Sequence, residues 1–356
     1  MEPLLRLLAL LSLSDEDMVS VQRAALLDST APNPSVETLL HAWLPHKYVD
    51  HTHATPFLAL ADLPDVTAIR REVFGDRLAL VPYLMPGFAL AKQAAAVFDE
   101  NPDCEGLLLG SHGHFTWGPD ARPSYDRLIS HTNLIEARLA GRHPAPLRPV
   151  AALPTKTVTD LLPILRGAMA ANGGALPIFD LRATDVARIF LTRHDVADLA
   201  LCGVATPDHV IRTKGHPLWL DAATIAGGAD AVTDALQGFV TRYRAYFAPQ
   251  APRFGGTKTA LSPVPGLVWI EGVGVMGVGA DAASARIAAD IGEQIVRVMA
   301  DAQNIRSFHP ISEADMFDCE YWSLEQAKLG KGTPPPLRGQ VVLITGGAGA
   351  IGLATA

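Results

Sequence analysis

The sequence contains few cysteines and no pair of them at metal-binding spacing. Only three occur among 356 residues, and Cys104, Cys202 and Cys319 are far apart. This distribution excludes a cysteine metal site and favours a reducing compartment, because structural disulfides are rare there. We therefore expect a cytoplasmic protein.

Basic tracts and long apolar runs are also lacking. The formal net charge is -8 and no basic tract is present, so we expect no nucleic-acid partner. The leucine-rich stretch Leu4–Leu13 contains Arg6 and is too short to cross a bilayer. Acidic residues 15–17 follow it where a signal peptide would carry small residues, so we predict amphipathic helices and no membrane partner. Ser14 is the predicted N-cap of the second helix, with Asp17 at capping-box spacing.

The residues that are present favour an α/β protein. The chain is 49% hydrophobic, enough for sizeable cores, and predicted strands alternate with predicted helices. We predict an α/β domain over residues 1–145, a proline-rich linker, and a second α/β segment over 150–330. The stretch Lys331–Pro336 is a predicted stiff linker. Residues 337–356 are predicted to begin a third unit, with a buried strand at 340–344 before a glycine-rich turn.

The second segment has its own predicted elements. Helices are predicted near 158–171, 183–200 and 281–302, and strands near 176–181, 209–212 and 267–271. Arg212 and Lys214 would alternate on one strand face, where they would bind an anion or protect a solvated sheet edge. The stretch Gly272–Gly277 matches GxGxxG, but the acidic residues that follow fall within a helix, so we predict a hairpin there.

The second segment also echoes the first. The paired stretches are 266–282 with 106–121, and Asp208–Ile211 with Asp50–His53. Val273 would take the position of His112, and Ile211 that of His53. The pattern predicts a degenerate, metal-free copy of the first α/β unit.

Three histidines carry the strongest chemical pattern. His51 and His53 are two residues apart in a strand-like stretch, so their side chains point to the same face. His112, in a distant glycine-flanked turn, would add a third imidazole and leave a catalytic zinc ion one open position. A lone histidine is more often a core or surface residue, but this pairing favours metal. His114 is expected to face solvent from a turn.

Three stretches together resemble the zinc-dependent class II aldolase/adducin family: Pro34–His41, Asp50–His53 and His112–Gly118. Within that family, the resemblance is greatest to the group in which a rhamnulose-1-phosphate aldolase is fused to a short-chain dehydrogenase. It implies a three-layer α/β/α sandwich, zinc ligands at His51, His53 and His112, and Glu37 as the catalytic acid/base. Without the resemblance, Glu37 would equally be an exposed glutamate stabilising a helix N-terminus.

The resemblance also implies a reaction. A ketose 1-phosphate such as rhamnulose 1-phosphate would be cleaved to dihydroxyacetone phosphate and lactaldehyde by a homo-oligomer, and a fused dehydrogenase would act on the aldehyde with NAD(P). Loops that hold the substrate phosphate in relatives would precede Met1, so we expect an N-terminally truncated aldolase domain. An epimerase or decarboxylase on the same scaffold, or a non-catalytic adducin-like interaction module, are the alternatives.

The C-terminal glycine-rich turn resembles the cofactor turn that opens the Rossmann fold of short-chain dehydrogenases. The resemblance implies NAD(P) contacts from Thr345, Gly346, Gly349, Ile351 and Gly352. An ordinary strand-to-helix turn is the alternative. The catalytic Ser, Tyr and Lys of that family would lie beyond the last residue, so we expect a truncated dehydrogenase domain.

Overall fold

The computed structural model describes residues 2–140, 155–173, 175–326 and 336–355. The predicted proline-rich linker and most of the predicted linker at 331–336 lie outside these residues, as do the predicted limits of the first two segments. None of the described helices is both long and apolar enough to span a bilayer.

The described residues form helices and strands that alternate along most of the chain. The helices are α1 (Glu2–Leu7), α2 (Asp15–Ala24), α3 (Thr38–Trp43), α4 (Thr55–Ala61), α5 (Val66–Phe74), α6 (Phe88–Glu100), α7 (Ala121–Leu139), α8 (Thr155–Gly173), α9 (Asp185–Phe190), α10 (Val196–Leu199), α11 (Pro207–Thr213), α12 (Ala222–Ala226), α13 (Gly228–Gln250), α14 (Ala282–Ile305), α15 (Glu313–Glu320), α16 (Ser323–Gln326) and α17 (Ala350–Thr355). The strands are β1 (Tyr48–Thr52), β2 (Leu78–Val81), β3 (Gly106–Leu109), β4 (Gly113–Gly118), β5 (Ile178–Arg182), β6 (Leu218–Leu220), β7 (Leu267–Ile270) and β8 (Gly274–Gly279). A 3₁₀ turn, Ala251–Phe254, extends α13.

The first sheet has the strand order β1-β4-β3-β2. β4 is antiparallel to β1 and β3, whereas β2 and β3 are parallel and are joined by the crossover helix α6. Leu108 of β3 belongs to a core with α4, α5 and α7, whereas its neighbours Leu107 and Leu109 belong to a core with α3 and α6. Helices thus cover both faces, which confirms the predicted three-layer α/β/α arrangement.

The second sheet repeats this plan. Its order is β5-β8-β7-β6, with β8 antiparallel to β5 and β7, and with β6 and β7 parallel. The matching order and directions support the predicted internal repeat. Gly272 lies in the turn between β7 and β8, and Gly274 and Gly277 lie on β8, so this stretch forms part of a hairpin, as predicted.

One hydrophobic core is shared by the two segments. It contains Phe57 from α4, Leu108 from the first sheet, Trp269 from the second sheet, and Val296 and Met299 from α14. Separate cores cover the outer face of each sheet. Because α14 packs directly against α4, the second segment lies beside the end of β1.

Residues 209–212 form part of a helix, and the predicted strand is wrong. α11 begins at Pro207, a residue suited to the first helical turn because an N–H there would have no helical acceptor. Arg212 therefore lies in the last turn of α11, and Lys214 is its C-cap with φ +64°. The counterpart of β1 is β5, so the predicted equivalence of Asp208–Ile211 with Asp50–His53 is also wrong.

The strand predicted at 340–344 is not formed. No described strand pairs with these residues, and Val341 and Leu343 are exposed. A strand needs a hydrogen-bonded neighbour, and here none is available. The predicted turn and helix are present, with Gly346 at φ +71° and α17 starting at Ala350. The start of the predicted Rossmann unit thus consists of a turn and a short helix.

Candidate metal centre

β1 and the residue after it direct two imidazoles to one point. His51 stacks on Phe115 of the neighbouring strand β4, with 4.0 Å between the ring centroids. Its Nδ1 lies 3.1 Å from the main-chain oxygen of His114, which leaves Nε2 free to face the site. His51 Nε2 and His53 Nε2 are 2.9 Å apart. The structure therefore brings the predicted pair together.

His112 enters the same space from the turn between β3 and β4. Its ring centroid lies 5.5 Å from that of His51 and 5.0 Å from that of His53. One nitrogen from each of the three rings lies within 4.8 Å of the other two. A Cβ at Gly113 would come within 2.8 Å of the Thr52 carbonyl oxygen, so only glycine allows the turn to approach β1 this closely.

Glu37 completes the group. It is the N-cap of α3, and its side chain is 14% exposed, so the alternative of an exposed first-turn glutamate does not hold. Its Oε1 lies 3.3 Å from His112 Nε2, and the Ser35 hydroxyl donates a hydrogen bond to its other oxygen. Burial would raise the pKa of Glu37, but His112, Ser35 and the nearby His51 outweigh burial and hold the pKa well below its usual value. The carboxyl group is therefore ionised at neutral pH.

The two histidines of the β1 end are neutral at the same pH. Burial, followed by the neighbouring His112, lowers the pKa of His51 to about 4. Burial, His112 and His51 lower the pKa of His53 to about 3. Neutral imidazole is the form that binds a metal ion.

Three residues of the second segment reach this site. Thr206 Oγ1 lies 3.4 Å from His53 Nδ1, and Asp208 Oδ2 lies 3.9 Å from the same nitrogen. Gln294 Nε2 donates to the His53 carbonyl oxygen at 2.9 Å. The sequence predicts no site role for Thr206 or Gln294, and it indicates Asp208 only as part of the internal repeat. The Thr206-Pro207 step, typical of a helix N-terminus, was the available signal, but it gives no indication of the distant histidines.

The repeat contains no second metal group at the matching place. The register of the two sheets aligns β5 with β1 and the β7–β8 turn with the β3–β4 turn. The residues aligned with the three histidines are Leu181, Ala183 and Val273. None of these side chains offers a ligand atom. Val273 is the predicted counterpart of His112, whereas Ala183 replaces Ile211 as the counterpart of His53.

His114 is buried, contrary to the expectation that it faces solvent. It lies on β4 rather than in a turn, is 0% exposed, and stacks on Phe57 with 3.9 Å between the ring centroids. Its Nε2 lies 3.1 Å from His131 Nδ1, and His131 in turn contacts Glu105 at 3.1 Å. Burial lowers the pKa of His114 well below its usual value, so His114 is a neutral core residue.

The predicted cofactor residues form a separate, local turn. They are Thr345, Gly346, Gly349, Ile351 and Gly352. The Gly349 N–H donates to the Gly346 carbonyl oxygen at 2.9 Å, and a Cβ at Gly352 would lie 2.3 Å from that oxygen. This close approach of helix and turn is typical of cofactor turns, and the role of these residues stays a prediction.

Comparison with known proteins agrees with the fold. The chain is 30% identical over 355 residues to "Uncharacterized oxidoreductase YuxG" of Bacillus subtilis (strain 168), which covers 96% of this chain and 50% of that protein. The chain therefore spans about half the length of that relative. It is 31% identical over 152 residues to a methylthioribulose-1-phosphate dehydratase of Pseudomonas paraeruginosa (strain DSM 24068 / PA7), covering 35% of this chain and 70% of the dehydratase.

A solved N-terminal class II aldolase domain of a conserved protein from Thermoplasma acidophilum is also similar in sequence. It is 31% identical to this chain. The match covers 39% of this chain and 63% of the solved chain, with a TM-score of 0.36. Residues 8–139 match the family model "Class II Aldolase and Adducin N-terminal domain". Residues 156–329 match the model "Aldolase class II, second domain". With matches on both sides of its shared core, the chain belongs to the class II aldolase and adducin family.

Proposed function

We propose that the chain is the aldolase part of a larger protein and cleaves a ketose 1-phosphate, such as rhamnulose 1-phosphate, into dihydroxyacetone phosphate and lactaldehyde. His51, His53 and His112 would bind the zinc ion. The observation that carries the proposal is the convergence of these imidazoles with the carboxylate of Glu37, 3.3 Å from His112. Family membership supports it, and the name of the dehydratase relative points to the same substrate class.

The residues fit a zinc ion. Three imidazoles leave one coordination position for substrate, the usual layout of a catalytic zinc site. His112 is 1% exposed; its Nδ1 has no hydrogen-bond partner among the described residues, and its Nε2 faces Glu37 Oε1 at 3.3 Å without forming a well-aligned hydrogen bond. A buried polar group without a partner is costly, and a metal ligand role would satisfy Nε2.

The chain's own groups then account for the proton transfers. Zinc bound here would supply Lewis-acid polarisation of the substrate's carbonyl and hydroxyl oxygens. Glu37, ionised and oriented by Ser35, would take the proton from the hydroxyl beside the C–C bond that breaks. The electron pair of that bond moves toward the carbonyl, and the aldehyde leaves. Glu37 then returns the proton to carbon, which completes dihydroxyacetone phosphate.

Dehydration of a ketose 1-phosphate is the second candidate, because one relative is a methylthioribulose-1-phosphate dehydratase. That reaction uses the same polarised carbonyl but removes a hydroxyl group and leaves the carbon chain intact. An epimerase would also preserve the carbon chain. The presence of all three histidines together with Glu37 disfavours a non-catalytic interaction module. The products therefore decide among these activities.

The test uses the full-length protein that contains this chain. Cleavage of rhamnulose 1-phosphate is followed by enzymatic reduction of the dihydroxyacetone phosphate released, and methylthioribulose 1-phosphate is incubated in parallel and analysed by mass spectrometry. We expect cleavage of the first substrate, loss of activity with a chelator, and recovery with zinc. A product of the second substrate lighter by one water, without cleavage of the first, would replace the aldolase by the dehydratase.

We further propose that the larger protein acts on the aldehyde with NAD(P), because the relative twice as long is named an oxidoreductase. The Thr345–Gly352 turn would open that domain. The described residues do not make a complete cofactor site, since the strand expected before the turn is not formed. We also propose a cytoplasmic homo-oligomer; the three unpaired thiols agree with a reducing compartment.

A further inference from the structure

Thr206 stands at a helix N-cap but does not cap the helix. At this position a threonine hydroxyl usually accepts a hydrogen bond from an N–H of the first turn. Among the described residues, the Thr206 side chain makes no such bond to α11. The residue is 1% exposed, so its hydroxyl requires another partner.

The partners of Thr206 belong to two of the three candidate metal ligands. Its Oγ1 donates to the main-chain oxygen of His112 at 3.3 Å and lies 3.4 Å from His53 Nδ1. A hydroxyl can donate to one group and accept from another at the same time. The side chain is therefore able to connect His53 to His112.

The direction of this contact matters for metal binding. His53 Nε2 faces His51, so Nδ1 is the nitrogen that faces away from the metal position. A neutral imidazole that binds metal through Nε2 carries its proton on Nδ1, and it needs an acceptor there. Thr206 Oγ1, 3.4 Å from Nδ1, is that acceptor, and a carboxyl oxygen of the half-exposed Asp208 lies 3.9 Å from the same nitrogen.

We propose that Thr206 is a positioning residue of the metal centre, which fixes the ring orientation and tautomer of His53 and ties it to the turn of His112. This inference rests on zinc binding in the proposed function. It also assigns a role to the second segment. That copy of the fold carries Leu181, Ala183 and Val273 in place of ligands, and through α11 it supports the ligands of the first copy.

The test measures metal affinity on the full chain rather than turnover. Zinc affinity is determined by competition with a chromophoric chelator, and cobalt(II) provides an absorption spectrum sensitive to ligand geometry. Thr206→Val replaces the hydroxyl with a methyl group, and we expect zinc to bind about 10- to 100-fold more weakly, with an altered cobalt spectrum. Thr206→Ser restores the hydroxyl and should recover most of the affinity.

Thr213→Val is the matched control. Thr213 is a buried threonine on the same helix, and its hydroxyl bonds to main-chain oxygens, with the His209 oxygen at 2.9 Å. Loss of the Thr213 hydroxyl should leave zinc affinity and the cobalt spectrum unchanged. If Thr206→Val does not fold, Thr206→Ala takes its place, with weaker zinc binding than Thr206→Ser expected and equal binding by the two variants counting against the inference.

The outcomes separate this inference from the proposed function. A folded Thr206→Val chain with wild-type zinc affinity and cobalt spectrum would overturn the positioning role and leave the aldolase proposal standing. A chain that binds zinc and depends on Thr206, but cleaves no ketose 1-phosphate, would overturn the aldolase proposal alone. A wild-type chain that binds no zinc would overturn both.

Discussion

At the scale of single residues, Glu37 is distinguished by what surrounds its carboxylate. One oxygen faces His112 Nε2 at 3.3 Å, and the other accepts a hydrogen bond from Ser35. The group is ionised at neutral pH and can begin the reaction as a base. Its proposed role is proton transfer, whereas the proposed role of the three imidazoles is to hold the metal ion.

This division of roles predicts the effect of Glu37→Gln. The amide has almost the same shape but cannot carry the proton, so kcat should fall by about 10²- to 10⁴-fold. Zinc affinity should stay within a few-fold of wild type, because the imidazoles are unchanged. Turnover with rhamnulose 1-phosphate and zinc content are measured on the same preparation.

Glu105→Gln is the control for that variant. Glu105 also pairs with a histidine, His131, at 3.1 Å, but that histidine is not one of the three candidate ligands. Its substitution should leave kcat near the wild-type value. A Glu37→Gln protein that turns over at the full rate would refute the proton-transfer role.

At the scale of elements, close packing of β8 against α14 depends on a glycine. A Cβ at Gly277 would lie 2.2 Å from the Ala285 carbonyl oxygen and 2.3 Å from the Ala289 N–H nitrogen. Both contacts are with backbone, which cannot move aside without displacing α14. We expect Gly277→Ala to reduce the free energy of unfolding by about 1–3 kcal/mol, as overpacking does.

Gly167→Ala is the matched change for that measurement. Gly167 is exposed on α8, and a Cβ there would meet nothing within 4 Å. Alanine should stabilise the helix by about 0.5–1 kcal/mol. The two variants are compared by denaturant unfolding, and Gly277→Ala with wild-type stability would show that α14 does not pack as described.

The sequence predicts a helix correctly where an N-cap residue and a helical hydrophobic periodicity occur together. Ser14 accepts a hydrogen bond from the Asp17 N–H, as its capping spacing indicates. The helix predicted near 281–302 is α14, and the structure shows a capping box at Asp281 before it. The predicted helix at 183–200 is broken into α9 and α10. The strand predicted at 209–212 is wrong because Val210 and Ile211 favour a strand locally, whereas Pro207 starts a helix that includes them.

The candidate site was predictable only in its local part. The i, i+2 spacing of His51 and His53 and the glycine-flanked His112 are visible in sequence. Thr206 and Gln294 are 153 and 241 residues from His53, and no local pattern indicates that they meet it. Such contacts arise from the packing of two sheets on one core, which depends on the whole chain.

At the scale of the whole molecule, the shared core determines how the chain unfolds. Phe57 and Leu58 of α4 belong to the same buried cluster as Val296 and Met299 of α14. Neither segment can lose its packing without exposing the apolar face of the other. We therefore expect one cooperative transition rather than two, although chains of this size often unfold in steps.

Calorimetry of two variants tests this expectation. Leu58→Ala creates a cavity in the shared core, and Leu236→Ala creates one in the outer core of the second segment. Both leucines are 0% exposed. Each should cost about 2–5 kcal/mol and lower the Tm of the same single transition. Leu27→Ala is the control, because Leu27 is exposed and its substitution should leave the Tm of that transition unchanged. Two resolved transitions, each moved by only one of the variants, would show that the two segments unfold independently.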